Sequence, residues 1–309
     1  MKKITLHIAL ALSLCACRSP QNAGSKTENT PKNQGPQSDS LPVVIGQGLT
    51  RFELGPELFR DNFSTIDNWV VQIQDRDGPT EPHVEVKGNT LDCFLPGRGC
   101  TVWLKRKLQT RITISYNVIC PTPMPPIEGV HPRDINNFWM ASDPRAAEQG
   151  LFNSTNYTGA FGSYDKMNGY YASTGGGSNV KANLTTRLRR YPREINANPT
   201  IHIALNDKDG KPGYLITPDR VMTIQLVAYD DLVQYIVDGK LIYEIGKGDQ
   251  IQLEDRDSNG KRVQIKGRYD LDRFPVYEEG YFGFRMVGTH HIYSNFRIYS
   301  LKPNGERDG

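Results

Sequence analysis

The 309-residue sequence lacks several features that would assign a chain to a familiar class of protein. Its formal net charge is only +3 and no long block of lysine or arginine occurs, which argues against a nucleic-acid-binding protein. No Gly-Lys-Ser/Thr phosphate loop, nucleophile elbow or zinc-protease motif is present, which argues against nucleotide binding and against hydrolases with those signatures. Helical periodicity over ten or more residues is hard to find, so an α-helical fold is not expected.

Cysteine is scarce as well, with five residues in the whole chain. Neither a Cys-x-x-Cys motif nor a Cys/His spacing is present, so a structural zinc site is not expected. If the two N-terminal cysteines belong to an export signal, an odd number remains. Cys93 and Cys100 flank the turn-like residues 96–99, which makes a disulfide between them possible, with free thiols as the alternative. Cys120 is expected to be buried and free.

The N-terminus resembles that of an exported bacterial lipoprotein. A basic start, an apolar run over residues 4–14 that is too short to span a bilayer, and small residues together predict a signal peptide over residues 1–16. The run ends in Leu-Cys-Ala-Cys, which resembles a lipobox and makes Cys17 the expected lipidation site. An ordinary secretory signal with two incidental cysteines is the alternative.

After Cys17 the chain changes character. Residues 17–45 are polar and rich in Ser, Asn, Gln, Pro and Gly, which predicts a disordered tether. Residues 46–303 are long enough for one large β domain, and residues 304–309 are expected to form a tail. Membrane contact is therefore expected only through the lipid anchor. The residues after Cys17 lack the acidic run associated with surface export in Bacteroidetes lipoproteins, so an outer-membrane lipoprotein that faces the periplasm is expected.

The body of the chain repeats short runs of Val, Ile, Tyr, Phe and Trp that alternate with polar residues and are separated by Gly, Asn, Asp or Pro. This pattern predicts an all-β protein built as an antiparallel β-sandwich. Asp238-Gly239 between two such runs is the clearest hairpin signal, because this pair suits a tight turn. The predicted strands include residues 69–73, 101–104, 112–118, 137–141, 185–191, 201–205, 222–229, 232–237, 241–245, 281–287 and 295–301.

The strand over residues 185–191 is the least ordinary of these. If Leu188 faces the core, Arg187, Arg189 and Tyr191 project from the opposite face, since alternate residues of a strand share one side. Guanidinium groups bind planar oxyanions in a bidentate manner, which suits the carboxylate or sulfate of an acidic sugar. The alternative is an exposed strand whose arginines only prevent aggregation.

Side chains from other segments are expected to complete a sugar-binding cleft. Phe138 and Met140 are predicted to face inward. Asn137 and Trp139 then face outward, where the amide orients a pyranose and the indole stacks on it; a core position is the alternative for Trp139. His131, in the Pro-rich loop just upstream, would overhang the same cleft. The other candidates for contact with the substrate are Tyr170, Tyr171, Arg190 and His291.

Two other kinds of site leave weaker signals. The carboxylate pair of a glycosidase could come from four acidic residues near the expected cleft, namely Glu128, Asp134, Asp143 and Asp165. Residues 255–260 begin like a calcium-binding loop, but Lys266 stands where a bidentate glutamate is required, so a surface turn is favoured. No cofactor is therefore expected, although a structural calcium ion stays possible.

The chain resembles the concanavalin-like jelly-roll proteins of Bacteroidetes polysaccharide-utilisation loci in motifs spread over nearly the whole domain, at residues 59–63 with Trp69, 137–141, 185–191 and 280–285 with 295–297. Within that superfamily it is most similar to the group that contains ulvan oligosaccharide dehydratases and polysaccharide-lyase-like proteins. The resemblance implies a jelly roll and a carbon–oxygen lyase that forms 4,5-unsaturated uronate ends, with a dehydratase preferred over a lyase.

Such an elimination has definite chemical requirements. Removal of the C5 proton leaves negative charge on the carboxylate, so the site needs cationic or amide donors there, together with a base and an acid. Arg187 and Asn137 are expected to neutralise the carboxylate. His131, Tyr171 or Tyr191 would move the protons, with a neighbouring arginine lowering a tyrosine pKa from about 10. The expected partner is an acidic oligosaccharide or polysaccharide; glycoside hydrolysis and glycan binding without catalysis are the alternatives.

Overall fold

The structure, a computed structural model, describes residues 51–146, 150–178, 181–193, 200–204 and 213–304. The predicted signal peptide, the lipidation site Cys17, the tether and residues 305–309 lie outside the described residues, so those expectations stay predictions. Within the described ranges, no helix is long and apolar enough to cross a membrane.

Short strands dominate the regular structure, as the alternating sequence pattern predicts. In chain order they are β1 (Phe52–Asp61), β2 (Trp69–Ile73), β3 (His83–Lys87), β4 (Thr90–Phe94), β5 (Gly99–Leu104), β6 (Leu108–Gln109), β7 (Ile112–Ile119), β8 (Ile135–Ser142), β9 (Asn168–Ser178), β10 (Lys181–Tyr191), β11 (Thr200–Ala204), β12 (Met222–Tyr229), β13 (Leu232–Val237), β14 (Lys240–Ile245), β15 (Gln250–Arg256), β16 (Arg262–Arg268), β17 (Glu279–Val287) and β18 (His290–Pro303). Two 3₁₀ helices cover Gly150–Phe152 and Phe161–Tyr164.

These strands form two antiparallel sheets. In the described part of the chain, sheet A has eight strands in the order β14-β13-β12-β7-β18-β4-β3, with β1 also paired to β18. Sheet B has ten, in the order β16-β15-β11-β10-β9-β8-β17-β5-β2, with β6 paired to β17. The chain crosses repeatedly from one sheet to the other, as from β7 to β8, which is the connectivity of a concanavalin-like jelly roll. The predicted antiparallel β-sandwich is confirmed.

The hairpin between β13 and β14 shows how a local signal sets the register of these strands. Asp238 and Gly239 have φ angles of +50° and +74°, so both central residues of the turn adopt the left-handed conformation that a primed turn requires. Val237 and Lys240 then pair directly across the hairpin. The hairpin prediction is confirmed.

The main hydrophobic core lies between the two sheets. Near its centre, the ring of Trp69 stacks on Phe284 at 5.2 Å and meets Phe296 edge-on at 5.2 Å. The indole Nε1 donates a hydrogen bond to Asp61 over 2.9 Å, so the polar atom of this buried ring is satisfied. Burial of each such aromatic side chain stabilises the fold by about 1.5–3 kcal/mol.

A second apolar cluster lies on the outer face of sheet B, under the segment that joins β8 to β9. Tyr164 of this segment packs on Trp103 and Phe138, with ring centroids 6.0 and 5.5 Å apart. Gln72 fastens the segment to the sheet, because its side chain accepts hydrogen bonds from Trp103 and Tyr164 and donates one to the carbonyl of Leu151. Part of sheet B is thus buried on both faces.

The three cysteines of the domain are buried and free. Cys93 belongs to β4 of sheet A and Cys100 to β5 of sheet B, and both side chains lie in the core between the sheets. The possible disulfide between Cys93 and Cys100 is therefore not formed, whereas the expectation of a buried, free Cys120 is confirmed. Burial raises the pKa of Cys100 to about 12, so its thiol stays protonated at neutral pH.

Candidate functional site

Strand β10 places its arginines at the centre of the candidate site. Leu188 is buried between the sheets, so Arg187, Arg189 and Tyr191 project from the outer face of sheet B, and the predicted orientation of this strand is confirmed. Arg187 and Arg189 are called the arginine pair below. Arg187 is partly exposed, whereas Arg189 is buried next to it.

The strands beside β10 extend this face. On β9, Ser173 and Tyr171 lie in register with Arg187 and Arg189, respectively. On β11, His202 lies in register with Arg189. One surface therefore carries two guanidinium groups, an imidazole, a phenol and a hydroxyl, contributed by three adjacent strands.

His202 forms a dyad with Glu254 of β15 that the sequence analysis did not find. The Nδ1 of His202 donates a hydrogen bond to Glu254 Oε2 over 2.9 Å, because an ionised carboxylate can only accept. The other ring nitrogen, Nε2, lies 3.5 Å from Nη2 of Arg189. Arg262 approaches the far carboxylate oxygen of Glu254 to 3.5 Å. The carboxylate thus fixes the orientation of the imidazole and leaves Nε2 facing the arginine pair.

The surroundings of the dyad keep the imidazole neutral. Burial and the positive charge of Arg189 lower the pKa of His202 to about 4. Burial alone would raise the pKa of Glu254, but its hydrogen bond with His202 and the nearby positive charges outweigh burial and lower it. At neutral pH the dyad is therefore an uncharged imidazole beside a carboxylate, which is the protonation state of a general base.

Arg187 has no ion-pair partner among the residues that the structure describes. It makes no hydrogen bond or ion pair with the residues that the structure describes, and its buried Nε has no partner. Burial lowers the pKa of Arg187, and the positive charge of Arg189 beside it lowers the pKa further, although an arginine stays charged. Two like charges held side by side form a site for a planar anion such as a carboxylate.

Both tyrosines of this face are buried, Tyr171 with 4% of its surface exposed and Tyr191 with none. Burial raises the pKa of Tyr171 and outweighs the opposing effect of Arg189, whose guanidinium carbon lies 5.7 Å from the ring centroid. Tyr191 is fully buried against Phe138 and Tyr171, and burial raises its pKa as well. The expectation that an arginine lowers a tyrosine pKa was wrong, because burial has the larger effect. The hydroxyl of Tyr171 therefore keeps its proton at neutral pH and can donate it. The buried ring of Tyr191 packs against that of Tyr171.

The segment that joins β8 to β9 borders the arginine pair through Phe161. The ring of Phe161 lies 5.7 Å from that of Tyr171. Arg193 and Arg285 approach the same ring to 5.4 Å each, as cation–π contacts. The carbonyl of Asp165 accepts a hydrogen bond from the backbone N–H of Arg193 over 2.6 Å, which ties the segment to the end of β10. The half-buried ring of Phe161 thus lies at one side of the candidate site.

The orientation predicted for β8 was wrong at residues 137–139, whereas Met140 faces the core between the sheets as expected. Trp139 is fully buried between the sheets beside Tyr170, and Asn137 is also buried, where it accepts a hydrogen bond from Tyr116. Phe138 takes the outer face instead, where it stacks on Trp103 at 5.7 Å. The segment between β8 and β9 covers this part of the sheet, so an apolar ring is favoured on the outer face. Asn137 and Trp139 therefore cannot contact a sugar from these positions.

Asn136, and not Asn137, faces outward from β8. It lies on the outer face of β8 in register with Ser173 of β9, which separates it from Arg187 of β10. Its Oδ1 is buried without a described partner, and its side chain forms a hydrogen bond with Asp134. Asn136 is in register with Arg285 on the other side. Arg285 is fully buried and donates to the carbonyl of Cys100 over 2.7 Å, which makes it part of the sheet rather than of the accessible surface.

Four other predicted site residues lie elsewhere. Tyr170 points into the core beside Trp139, and His291 is fully buried between Tyr293 and the carbonyl of Arg133, so neither can contact a substrate. Arg190 faces away from the arginine pair and stacks on Tyr277. His131 lies in the loop before β8, held by its backbone N–H on the carbonyl of Gly288, and no described hydrogen bond joins its side chain to the arginines.

Three of the four carboxylates considered for glycoside hydrolysis lie next to arginines. Asp134 pairs with Arg133 at 2.8 Å, and burial raises its pKa. Asp143 pairs with Arg145 at 2.9 Å. Asp165 lies 3.8 Å from Arg193, and Glu128 is exposed. These four residues therefore do not present a free pair of acidic groups beside the arginine pair.

No described group of three or more His, Cys, Asp or Glu side chains is arranged to hold a metal ion. The calcium-like segment is a hairpin turn between β15 and β16, in which Asp257 accepts hydrogen bonds from the backbone N–H groups of Asn259 and Lys261 over 2.9 Å each. The surface turn favoured by the sequence is confirmed.

The family model described as domain of unknown function DUF6250 matches residues 95–253 of the chain. No curated protein matches the sequence. A protein of unknown function with a galectin-like fold from Bacillus subtilis is similar in structure, with a TM-score of 0.51 and 14% identity over 82% of this chain and 99% of that chain. At this identity the likeness shows the fold alone.

Two weaker likenesses have descriptions that name carbohydrates. An endo-β-1,3-glucanase from Pyrococcus furiosus has a TM-score of 0.44 and 9% identity over 82% of this chain and 99% of that one. The carbohydrate-binding module CBM66 from Bacillus subtilis has a TM-score of 0.41 and 10% identity over 75% and 96%. At these scores neither likeness indicates a function for this chain.

Proposed function

The chain belongs to the DUF6250 family, and we propose that it is a carbohydrate-active enzyme of this family, a carbon–oxygen lyase that eliminates across C4 and C5 of a uronic acid in an oligosaccharide. One observation carries the proposal. A neutral imidazole, oriented by a carboxylate, faces two arginines that have no carboxylate between them among the described residues. Base and anion site thus lie side by side, as the removal of a proton next to a carboxylate requires.

The arginine pair binds the uronate carboxylate. Arg187 is partly exposed and makes no hydrogen bond with the described residues, so its guanidinium group suits a bidentate contact, and Arg189 lies on the same face of the strand. As the C5 proton leaves, negative charge moves onto the carboxylate, so donors aimed at that group stabilise the transition state more than the bound substrate.

His202 is the base and Tyr171 the acid. The Nε2 lone pair of His202 takes the C5 proton, the electrons of the C5–H bond form the C4–C5 double bond, and the C4–O bond breaks. Tyr171 donates its hydroxyl proton to the departing oxygen, which leaves as an alcohol or as water. The bound carboxylate offsets the charge of Arg189, so the pKa of His202 rises when substrate binds, which strengthens the base at the moment it is needed.

The identity of the departing group decides the name of the enzyme. A sugar at C4 makes the reaction that of a polysaccharide lyase, and a hydroxyl makes it a dehydration. We propose the dehydratase reaction on ulvan-type oligosaccharides, by an outer-membrane lipoprotein in the periplasm, where depolymerised chains are short. This part of the proposal is supported by the sequence resemblance and not by the geometry.

A hydrolase on the same face is the second candidate, favoured only by the presence of Glu254. This carboxylate is held by His202 and Arg262, and burial alone would raise its pKa. A retaining or inverting mechanism needs a second carboxyl group about 5–10 Å away. The acidic residues expected near the cleft are engaged with arginines or exposed, so elimination uses the described groups better.

The test is incubation of the purified protein with a panel of uronate oligosaccharides, with products followed by ultraviolet absorbance and mass. Elimination creates a conjugated double bond and adds no water, whereas hydrolysis adds water and creates no double bond. Arg187→Ala should abolish turnover, and Arg268→Ala, which removes an exposed arginine on β16, should not. Tight binding with unchanged ligands would instead identify a glycan-binding protein and contradict the proposal.

A further inference from the structure

A pocket of about 240 Å³ lies at the end of β10, on the face opposite the arginine pair. It is lined by Arg190 and Ile201 from sheet B and by Arg273, Phe274 and Tyr277 from the segment that precedes β17. Strand β10 separates this pocket from Arg187 and Arg189, because Arg190 projects from the other side of the strand. The pocket is therefore distinct from the proposed catalytic site.

The pocket contains two cations and no described carboxylate among its lining residues. Arg190 is 8% exposed, and its hydrogen bonds go to backbone carbonyls, including that of Pro275 at 2.7 Å. The Nε of Arg190 is buried without a partner. Arg273 is exposed and makes no hydrogen bond or ion pair with the described residues; its guanidinium carbon lies 5.2 Å from the ring of Phe274.

Aromatic rings hold these cations in place. The guanidinium carbon of Arg190 lies 4.1 Å from the ring centroid of Tyr277 and 5.7 Å from that of Phe274. The hydroxyl of Tyr277 donates to the carbonyl of Tyr191 over 2.5 Å, which fixes the ring against the end of β10. The lining is thus ordered before any ligand arrives, which lowers the entropic cost of binding.

We propose that this pocket binds a second anionic sugar, a single pyranose that carries a carboxylate or a sulfate. The two guanidinium groups, which have no described counter-ion, favour an oxyanion, and the amide of Asn168 with the aromatic rings suits the hydroxyls and the apolar face of a sugar ring. The volume lies just below the range of about 300–1,000 Å³ for sites of drug-sized ligands, so one ring fits and an oligosaccharide does not.

The test uses a variant in which the proposed catalytic site is disabled, so that binding to the pocket is measured alone. In Arg187→Ala protein, calorimetric titrations at low salt should show saturable binding of sodium D-glucuronate or of glucose 6-sulfate, and none of glucose. The two anionic probes distinguish a carboxylate site from a sulfate site. Adding Arg273→Ala should weaken binding about tenfold or more, as loss of one charge-assisted hydrogen bond predicts. Adding the matched control Arg268→Ala, an exposed arginine outside the pocket, should leave binding unchanged.

Absence of saturable binding in the Arg187→Ala protein would overturn the inference. So would equal binding of neutral glucose, or binding that Arg273→Ala does not weaken. If Arg187→Ala protein fails to fold, the same comparison is made with Arg273→Ala and Arg268→Ala alone, where only the first should remove a binding event. These outcomes are independent of the elimination activity, which the unmodified protein tests separately.

Discussion

Replacement of His202 with glutamine separates a catalytic base from a structural histidine. Glutamine keeps an amide near Glu254 but has no basic lone pair. A positioned general base contributes about 10²–10⁴-fold to the rate. We therefore expect kcat to fall by that factor, which corresponds to about 2.7–5.4 kcal/mol in the activation free energy. KM should change little, because the arginine pair still binds the carboxylate.

The same substitution should have a small effect on folding. Glu254 keeps its contact with Arg262, and the new amide can still donate to it. A loss of about 1 kcal/mol in the free energy of unfolding is expected, as for one hydrogen bond. Initial rates from the rise in ultraviolet absorbance give kcat, and urea denaturation gives the stability. A large loss of activity with a small loss of stability identifies a base.

Glu254→Gln provides the matched comparison. It removes the carboxylate that orients the imidazole of His202 and should lower kcat less than His202→Gln does. The double variant should be no slower than His202→Gln alone, because residues that act as one unit are not additive. Activity of His202→Gln within about threefold of the unmodified protein would refute the reasoning, since a base contributes far more than that.

Other predictions follow from the same contacts. Arg187→Lys should lower kcat more than it raises KM, because a lysine cannot make the bidentate contact with a carboxylate whose negative charge grows in the transition state, and steady-state kinetics against Arg187→Ala measures this. The free energy of unfolding should fall as the pH drops below 6.5, because burial lowers the pKa of His291 to about 3 while the unfolded imidazole takes up a proton. His291 should contribute about 1.4 kcal/mol per pH unit to the slope, and His291→Gln should reduce the slope by that amount in urea titrations. Cys93 and Cys100 should react with iodoacetamide only after denaturation, since both thiols are buried and burial raises their pKa; a linked peptide in the mass spectrum would contradict this.

The fold was predictable because strand alternation and turn residues act locally. Asp238-Gly239 sets one hairpin by its own φ angles, and Leu188 orients β10 by its own burial. The orientation of β8 was not predictable. The segment between β8 and β9 covers the outer face of this strand, so aromatic rings are buried on both faces. Alternation alone therefore cannot show whether Phe138 or Trp139 faces the core between the sheets.

The dyad was beyond sequence reasoning for a different reason. The alternation of Ile201, His202 and Ile203 could have shown that the histidine faces away from the core. Its partner Glu254 lies 52 residues later, and the two meet only because Thr200 of β11 is in register with Glu254 of β15. Such a register is a tertiary property. The raised pKa of Tyr171 was not predictable for the same reason, because the burial that outweighs the effect of Arg189 is not visible in the sequence.

The proposed proton transfer is tested most directly with a uronate oligosaccharide that carries deuterium at C5 of the uronic acid. Mass spectrometry of the products shows whether that deuterium is lost. Removal of the C5 proton by His202 predicts an unsaturated product without the label, formed by the unmodified protein and not by His202→Gln. A product that keeps the label and has gained water would contradict the account.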